Sequence, residues 1–189
     1  RHLFLKLIWF VCLLLSFQFS YSQSGSFDDV IEEVSFVSDN IYMISSVGGP
    51  IAGNIGVFVS DDGLIVIDDQ YEINEEKILN AISEISNLPI KLIINTHFHH
   101  DHSDGNKAFG KLNIPIYAHK NVRKRLSRNS VLYGSNRLIE KYPNEALPSL
   151  TYTSLMSLYE SDEEIQLYNF GKGHTCLLYT SPSPRDLST

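Results

Sequence analysis

A continuous apolar run that leads straight into a cluster of histidines constrains the fold of this chain more than any other feature. Leu92, Ile93 and Ile94 follow one another without a polar residue, which is typical of a strand that is covered on both faces. The stretch NTHFHHDHSDGN begins directly after them and places four of the chain's seven histidines within residues 97–102. A strand covered on both faces needs a layer of structure on each side of its sheet. The run therefore predicts a layered α/β fold with a histidine-rich loop at a strand end.

The segments before this run alternate between strand and helix patterns. Residues 55–60 and 64–68 predict the two arms of a β-hairpin around an Asp-Asp-Gly turn. Residues 73–86 carry apolar side chains that are mostly three or four positions apart, which predicts a helix with one buried face. Ile73 belongs to that apolar set, and Asn74 is suited to cap the start of the helix.

The segments after the histidines continue the alternation. Ser103 or Asp104 is suited to cap a short helix that runs through Phe109. Residues 114–119 then predict a strand and residues 120–127 a helix with a solvated, basic face. Strand, helix, strand and helix in succession indicate the α/β class, which some schemes would call α+β.

The remainder of the chain shows no repeat and no linker that would divide it into domains. Residues 128–150 have weak periodicity and are long enough to form a flap. Residues 151–171 predict short strands with a turn at residues 161–163.

The pattern His97-x-His99-x-Asp101-His102 predicts a metal site. Imidazole nitrogen and carboxylate oxygen both bind Zn²⁺ at similar distances. His97 and His99 are two positions apart and can project to one side of an extended loop, whereas Asp101 and His102 follow the turn of the chain and can face a second position. The alternative is a histidine-rich surface loop without metal, although four neighbouring histidines would repel one another if charged. His100 occupies an intervening position and can point away from the metal.

The motif THFHHDH, together with the later GKGHT, resembles the metallo-β-lactamase superfamily of metal-dependent hydrolases. The strand GLIVIDD is similar to the first motif of that family, and the resemblance spans about residues 41–175. It implies an αββα sandwich with metals at one edge of the two sheets. Only the N-terminal part of the sandwich would be present, in a partial domain of residues 23–175.

The resemblance also implies a set of metal ligands. A first zinc would be held by His97, His99 and His174, and a second zinc partly by Asp101 and His102. The remaining ligands of the second zinc lie after the GHT motif in the family. Two Zn²⁺ ions are thus expected in the intact parent protein, with iron as an alternative metal.

Two of the implied residues have ordinary alternatives when considered alone. Asp68, at the end of its strand, would not bind the metal itself but would orient the residues that do. Aspartate is, however, also common as a turn residue at strand ends. His174 alone would more often be a loop residue. Gly171 and Gly173, however, permit the close backbone turn that a ligand loop needs.

The expected function of the intact parent is zinc-dependent hydrolysis of a small molecule. Zinc lowers the pKa of bound water, and the resulting hydroxide would attack an amide, lactam or ester carbonyl. Asp101 would be the catalytic residue that orients the nucleophile and passes a proton. Two alternatives are an iron-dependent oxidoreductase of the same fold and a zinc-binding protein without catalysis.

The first residues predict export. Residues 1–22 combine a basic start, a short apolar core and a small-x-small triplet, as in a secretory signal peptide. A membrane anchor is the alternative, but the apolar run is short for a bilayer span, which needs about 20 residues. The mature domain is therefore expected to be periplasmic or secreted, with no stable membrane anchor after cleavage.

The end of the chain and its charge limit the function further. Residues 176–189, CLLYTSPSPRDLST, match the translation of a transposon-type sequencing adapter, so they are expected to be non-native. Cys176 is consequently not expected to bind zinc, and the fragment is expected to be inactive. The formal net charge of -7 argues against a nucleic-acid partner, which would usually require a basic face.

Overall fold

The computed structural model describes residues 25–50, 52–131 and 136–171. The predicted signal peptide at residues 1–22, His174 and the predicted tail at residues 176–189 lie outside the described residues. Among the described residues, no helix combines the length and the apolar character needed to cross a membrane.

Short strands and helices together contain more than half of the described residues. The helices are α1 Glu75–Ile85, α2 His100–Ser103, α3 Asn106–Lys111 and α4 Lys120–Leu126. The strands are β1 Ile31–Ser38, β2 Ile41–Val47, β3 Ile55–Val59, β4 Leu64–Ile67, β5 Ile90–Asn95, β6 Ile116–His119, β7 Ser130–Val131, β8 Leu138–Ile139, β9 Leu150–Tyr152, β10 Leu155–Glu160 and β11 Glu163–Tyr168. Short 3-10 turns lie at Phe27–Asp29, Glu72–Asn74 and Asn144–Ala146.

A seven-stranded sheet in the order β1-β2-β3-β4-β5-β6-β9 forms the centre of the structure. Strands β1 to β4 pair antiparallel, while β4, β5, β6 and β9 run parallel to one another. The carboxyl ends of parallel strands meet at one edge of a sheet, which is where α/β folds commonly place their sites. Asp68 and Thr96 follow β4 and β5 at that edge.

Both faces of the central sheet are covered. Helices α1 and α3 contribute Ile78, Ile82 and Phe109 to an apolar core that includes the fully buried Ile93 of β5. On the opposite face, the β10–β11 hairpin packs Leu158, Ile165 and Leu167 against Phe58, Ile65, Leu92 and Ile94. The strand that contains the apolar run therefore lies between two layers, as its sequence predicts.

Three local predictions need correction. Ile73 is 67% exposed and not part of the buried helix face, because α1 begins only at Glu75. Asn74 occupies the N-cap position, but its side chain makes no capping hydrogen bond. It is buried instead, where its amide approaches Gln70 Oε1 at 3.5 Å.

The helix boundaries after the first histidines also differ from the prediction. A short helix, α2, already begins at His100, and the extended His99 occupies its N-cap position without a side-chain capping hydrogen bond. Ser103 ends α2 and Asp104 follows it, so neither residue caps the helix that contains Phe109. Ser103 Oγ donates to the carbonyl oxygen of His99 at 3.1 Å. A separate helix, α3, then begins after Gly105. Asp101 and His102 are consequently part of a helical turn, and this turn redirects their side chains relative to His97 and His99.

Candidate metal centre

The candidate site lies where β4 and β5 end. The parallel register places Ile67 of β4 beside Ile94 of β5, so the residues that follow them are neighbours. The amide of Asp68 donates to the carbonyl oxygen of Ile94 at 2.8 Å. Asp68 adopts a φ of 63°, a left-handed conformation that aspartate tolerates better than most residues.

The buried carboxylate of Asp68 connects the two strand ends. Its Oδ1 accepts the amide hydrogen of Thr96 at 2.7 Å, and its Oδ2 accepts the Thr96 hydroxyl hydrogen at 2.7 Å. The same Oδ2 lies 2.7 Å from His102 Nδ1. Burial raises the pKa of Asp68 above its usual value, although the hydrogen bonds from His102 and Thr96 oppose this effect. Both oxygens of Asp68 are therefore already engaged within the protein.

The bond to Asp68 determines the orientation of His102. A carboxylate accepts hydrogen bonds, so Nδ1 of His102 carries a proton and Nε2 points to the other side of the ring. That Nε2 lies 3.2 Å from Oδ2 of Asp101. Burial lowers the pKa of His102, but the hydrogen bond and the charge of Asp68, together with Asp101, outweigh burial and raise it.

Thr96 determines the orientation of His97 in a similar way. The single hydroxyl hydrogen of Thr96 is donated to Asp68, so the Thr96 oxygen accepts from Nδ1 of the buried His97 at 3.0 Å. The lone pair of His97 is then on Nε2, which lies 3.2 Å from Nδ1 of His99. A hydrogen bond to the far nitrogen is how most metal-binding histidines are held.

These contacts produce two adjacent pairs of donor atoms, where a donor atom is a nitrogen or oxygen that could bind a metal. His97 and His99 form one pair, and Asp101 and His102 form the other. The rings of His97 and His102 are 4.1 Å apart between centroids, so the pairs share one site. The spacing of the histidines in the sequence predicts this division into two partial sites. The ligand roles themselves remain a prediction, and His174 lies outside the described residues.

A second grouping of donor atoms includes Asp68. Asp68, His97 and His102 each have a potential ligand atom within 4.8 Å of the others. Both oxygens of Asp68 accept hydrogen bonds from Thr96, and one also bonds His102, which is consistent with the orienting role that the sequence predicts for it. The donor set in front of it consists of imidazole nitrogens and one carboxylate, which fits zinc.

Sequence reasoning missed three residues that build the site. Thr96 lies inside the histidine stretch, and its hydroxyl forms hydrogen bonds with both Asp68 and His97. These bonds depend on the pairing of two strands and not on the spacing of residues in the sequence. Asn95 is fully buried, and its amide donates to the carbonyl oxygen of His102 at 3.2 Å. Gly53 donates its amide hydrogen to the carbonyl oxygen of Asp101 at 3.2 Å. A Cβ at Gly53 would lie 2.5 Å from that oxygen, so the close approach requires glycine.

The two other described histidines are held away from these donor pairs. Nδ1 of His100 lies 3.2 Å from the hydroxyl oxygen of Tyr142 and 3.5 Å from Asp104 Oδ1. His119 caps α4, where its Nδ1 accepts the amide hydrogen of Asn121, and its Nε2 lies 2.9 Å from the carbonyl oxygen of Thr153. Both histidines therefore have structural contacts of their own.

Replacing Asp68 by asparagine is expected to weaken metal binding by about 10- to 100-fold, as is typical when a partner behind a metal ligand is lost. Asparagine keeps the size of the side chain but cannot accept hydrogen bonds on both of its polar atoms, so either Thr96 or His102 loses its partner. Competition titration with a zinc-sensitive dye would measure the effect. Asp39→Asn, in the exposed β1–β2 turn, is the matched control; equal zinc affinity in the two variants would contradict the orienting role of Asp68.

This chain combines a layered α/β fold with histidines and carboxylates clustered at the ends of parallel strands. These features are those of a metal-binding α/β protein. Within that class, residues 48–182 match the model of the metallo-beta-lactamase superfamily. The match covers more than half of the chain, and the chain belongs to this superfamily.

Similar proteins agree with this assignment. The chain is 29% identical over 150 residues to "Metallo-beta-lactamase type 2" of Elizabethkingia meningoseptica, and the match covers 76% of this chain and 54% of that protein. The solved structure of BJP-1, a subclass B3 metallo-beta-lactamase of Bradyrhizobium japonicum, superposes with a TM-score of 0.62 at 21% identity, covering 83% of this chain and 56% of the other. A metallo-beta-lactamase from Pontibacter korlensis gives a TM-score of 0.60 at 20% identity, covering 77% and 64%.

These similarities confirm the predicted fold class. The central sheet, its helical layer and the opposing hairpin belong to the metallo-β-lactamase sandwich. The chain spans about half the length of the curated relative it matches, at 54%. The described residues thus have the hydrolase-like fold of this superfamily and a group of side chains that could hold a metal ion.

Proposed function

We propose that this chain is part of an exported, zinc-dependent hydrolase that cleaves an amide, lactam or ester bond in a small molecule. One observation carries the proposal: two pairs of donor atoms lie side by side, and the atoms within each pair are 3.2 Å apart. One histidine of each pair is oriented by hydrogen bonds that lead back to Asp68. Histidines that serve only as surface residues do not need such support.

The proposed ligands follow from the direction of these atoms. His97, through Nε2, and His99, through Nδ1, would hold a first zinc together with His174. Asp101 and His102, through Oδ2 and Nε2, would contribute to a second. When bound, zinc lowers the pKa of water towards neutrality and polarises a substrate carbonyl.

The two carboxylates of the site are suited to different tasks. The side chain of Asp68 is only 5% exposed and is surrounded by Thr96 and His102, so it can orient ligands but cannot exchange protons with solvent. The side chain of Asp101 is 35% exposed and contacts Nε2 of His102. Asp101 is therefore the group that can hold a reacting water in place and pass its proton to solvent or to the leaving group.

The substrate and the location belong to the same proposal. β-Lactams are one candidate class, because the relatives described above are named as metallo-beta-lactamases. The signal-peptide pattern of residues 1–22 supports a periplasmic or secreted enzyme without a stable membrane anchor. We also propose that residues 176–189 are non-native. The chain is further proposed to be inactive without a C-terminal continuation.

Metal analysis of the full-length protein, combined with a turnover assay, tests this function. We expect mass spectrometry of the purified protein to find zinc, and the zinc-loaded protein to hydrolyse amide, lactam or ester substrates. Iron in place of zinc would contradict the proposal and favour the oxidoreductase alternative. Bound zinc without turnover of any of the three bond types would instead favour a non-catalytic zinc-binding protein.

A further inference from the structure

A cavity of about 350 Å³ lies beside the candidate metal centre. It lies between the histidine loop, helix α4 and the paired strands β7 and β8, and His99 and His100 form part of its wall. Small-molecule sites typically measure about 300–1,000 Å³, so the cavity is large enough for a modest ligand. Of the proposed metal ligands in the described residues, His99 is the one that borders it.

The floor of the cavity is apolar and firmly held. Leu126 and Tyr142 are 6% and 3% exposed and belong to one buried cluster, against which Phe98 packs. The amide of Tyr142 donates to the carbonyl oxygen of Leu126 at 2.8 Å, and its hydroxyl donates to Asp104 at 3.1 Å. Val131, on the hairpin, adds an exposed apolar side chain to the wall. The apolar surface is therefore preformed and does not depend on a ligand to order it.

The mouth of the cavity is cationic. Arg125 and Arg128 both line it, and the guanidinium carbon of Arg125 lies 5.0 Å from the centre of the Phe98 ring. Within the described residues, neither arginine forms an ion pair. Glu140 also borders the cavity, so two arginines against one glutamate leave a local excess of one positive charge. This excess is notable in a chain whose formal net charge is -7.

We propose that this cavity binds an amphipathic anion, whose apolar part lies on Phe98 and Leu126 and whose anionic group is held by Arg125 and Arg128. Arginine presents several N–H donors in one plane and matches carboxylate or sulfate oxygens in pairs. Because His99 forms part of the wall, a ligand held here lies against the metal centre. Amphipathic anions are thus the substrate class of the enzyme, and this conclusion rests on the proposed hydrolase function. Binding of such an anion in the cavity does not depend on that function.

Calorimetric titration of the full chain with matched probes tests the proposal. Octyl sulfate and octanoate carry both the tail and the charge, octan-1-ol carries only the tail, and methyl sulfate carries only the charge. We expect at least one of the two charged amphiphiles, below its micelle concentration, to bind at least about tenfold more tightly than either partial probe, a difference of about 1.4 kcal/mol. Equal binding of octan-1-ol and both charged amphiphiles would overturn the proposal.

Variants in and directly after α4 locate the binding. The double substitution Arg125→Ala and Arg128→Ala is expected to weaken binding of the preferred charged amphiphile by about tenfold or more, because charge-assisted hydrogen bonds are lost. Lys124→Ala removes an exposed charge from the same helix outside the cavity lining and serves as the control. Lys124, Arg125 and Arg128 are all exposed, so the variants are expected to fold. Unchanged affinity in the double variant would overturn the proposal.

Titration in the presence of a chelator separates this inference from the proposed function. The cavity needs no metal to bind its ligand, so affinity for the charged amphiphile is expected to persist without zinc. A protein that binds zinc but not the amphiphile would contradict the cavity assignment alone. A full-length protein that binds the amphiphile but neither holds zinc nor hydrolyses any substrate would contradict the hydrolase function alone.

Discussion

Replacement of Asp101 by alanine is expected to lower the turnover number of the active, full-length protein by about 10²- to 10⁴-fold, the usual contribution of a positioned acid or base. The carboxylate of Asp101 lies 3.2 Å from Nε2 of His102 and is the exposed carboxylate of the donor set. Its loss removes both a proposed ligand of the second zinc and the group that passes the proton. Steady-state kinetics with a chromogenic lactam or ester would measure the loss.

Two further measurements make this result specific. Asp162→Ala, in the exposed turn between β10 and β11, removes a carboxylate far along the chain from the site and is expected to leave turnover unchanged. Zinc content should be determined in the same preparations, so that a loss of metal is distinguished from a loss of proton transfer. Turnover of Asp101→Ala equal to that of the unsubstituted protein would rule out the catalytic role of Asp101.

Zinc is expected to produce the second large effect, an increase in thermal stability. A ligand present at a thousandfold excess over its dissociation constant stabilises the folded state by at most about 4 kcal/mol. For a domain of 150–250 residues, each kcal/mol raises the melting temperature by about 2–4 °C, so the rise is roughly 8–16 °C at most. Differential scanning fluorimetry of the metal-free chain, with and without added zinc, would measure it.

Variants within the histidine stretch identify the source of that stabilisation. His97→Ala removes a buried donor of the first pair and is expected to abolish most of the zinc-induced rise. His100→Asn is the matched control, because the ring of His100 contacts Tyr142 and Asp104 and is not part of either donor pair. A zinc-induced rise that is equally reduced in both variants would contradict the proposed division between ligand and non-ligand histidines.

The sequence was sufficient for the features that depend on local spacing. The apolar run of β5 predicts a strand covered on both faces, and the structure places Ile93 against the helices and Leu92 against the hairpin. The pattern His97-x-His99-x-Asp101-His102 predicts two partial metal sites. The structure brings the two atoms of each pair to 3.2 Å, and their roles as ligands stay a prediction. Short-range periodicity determines which side chains share a direction, so such predictions survive in the folded protein.

The features that depend on contacts between distant segments were not predictable in the same way. Gly53 donates a hydrogen bond to the backbone of Asp101 in α2, almost fifty residues further along the chain, and no motif marks this contact. The start of α2 at His100 is not marked in the sequence, because the N-cap position holds the extended His99, which makes no side-chain capping hydrogen bond, and not a serine, threonine or aspartate. Ile73 is wrongly assigned to the helix because the helical spacing of apolar residues already begins two residues before the helix itself, which starts at Glu75.

The separation of Asp68 from His102 by 34 positions in the sequence has a consequence for the order of metal loading and folding. The residues from His97 to His102 are contiguous, so an unfolded chain already presents several zinc-binding groups within one short peptide. The orienting contact from Asp68, by contrast, exists only after β4 and β5 have paired. We therefore expect a nascent chain to capture zinc weakly before its sheet forms, and the pairing of these two strands to convert that loose chelate into an ordered centre.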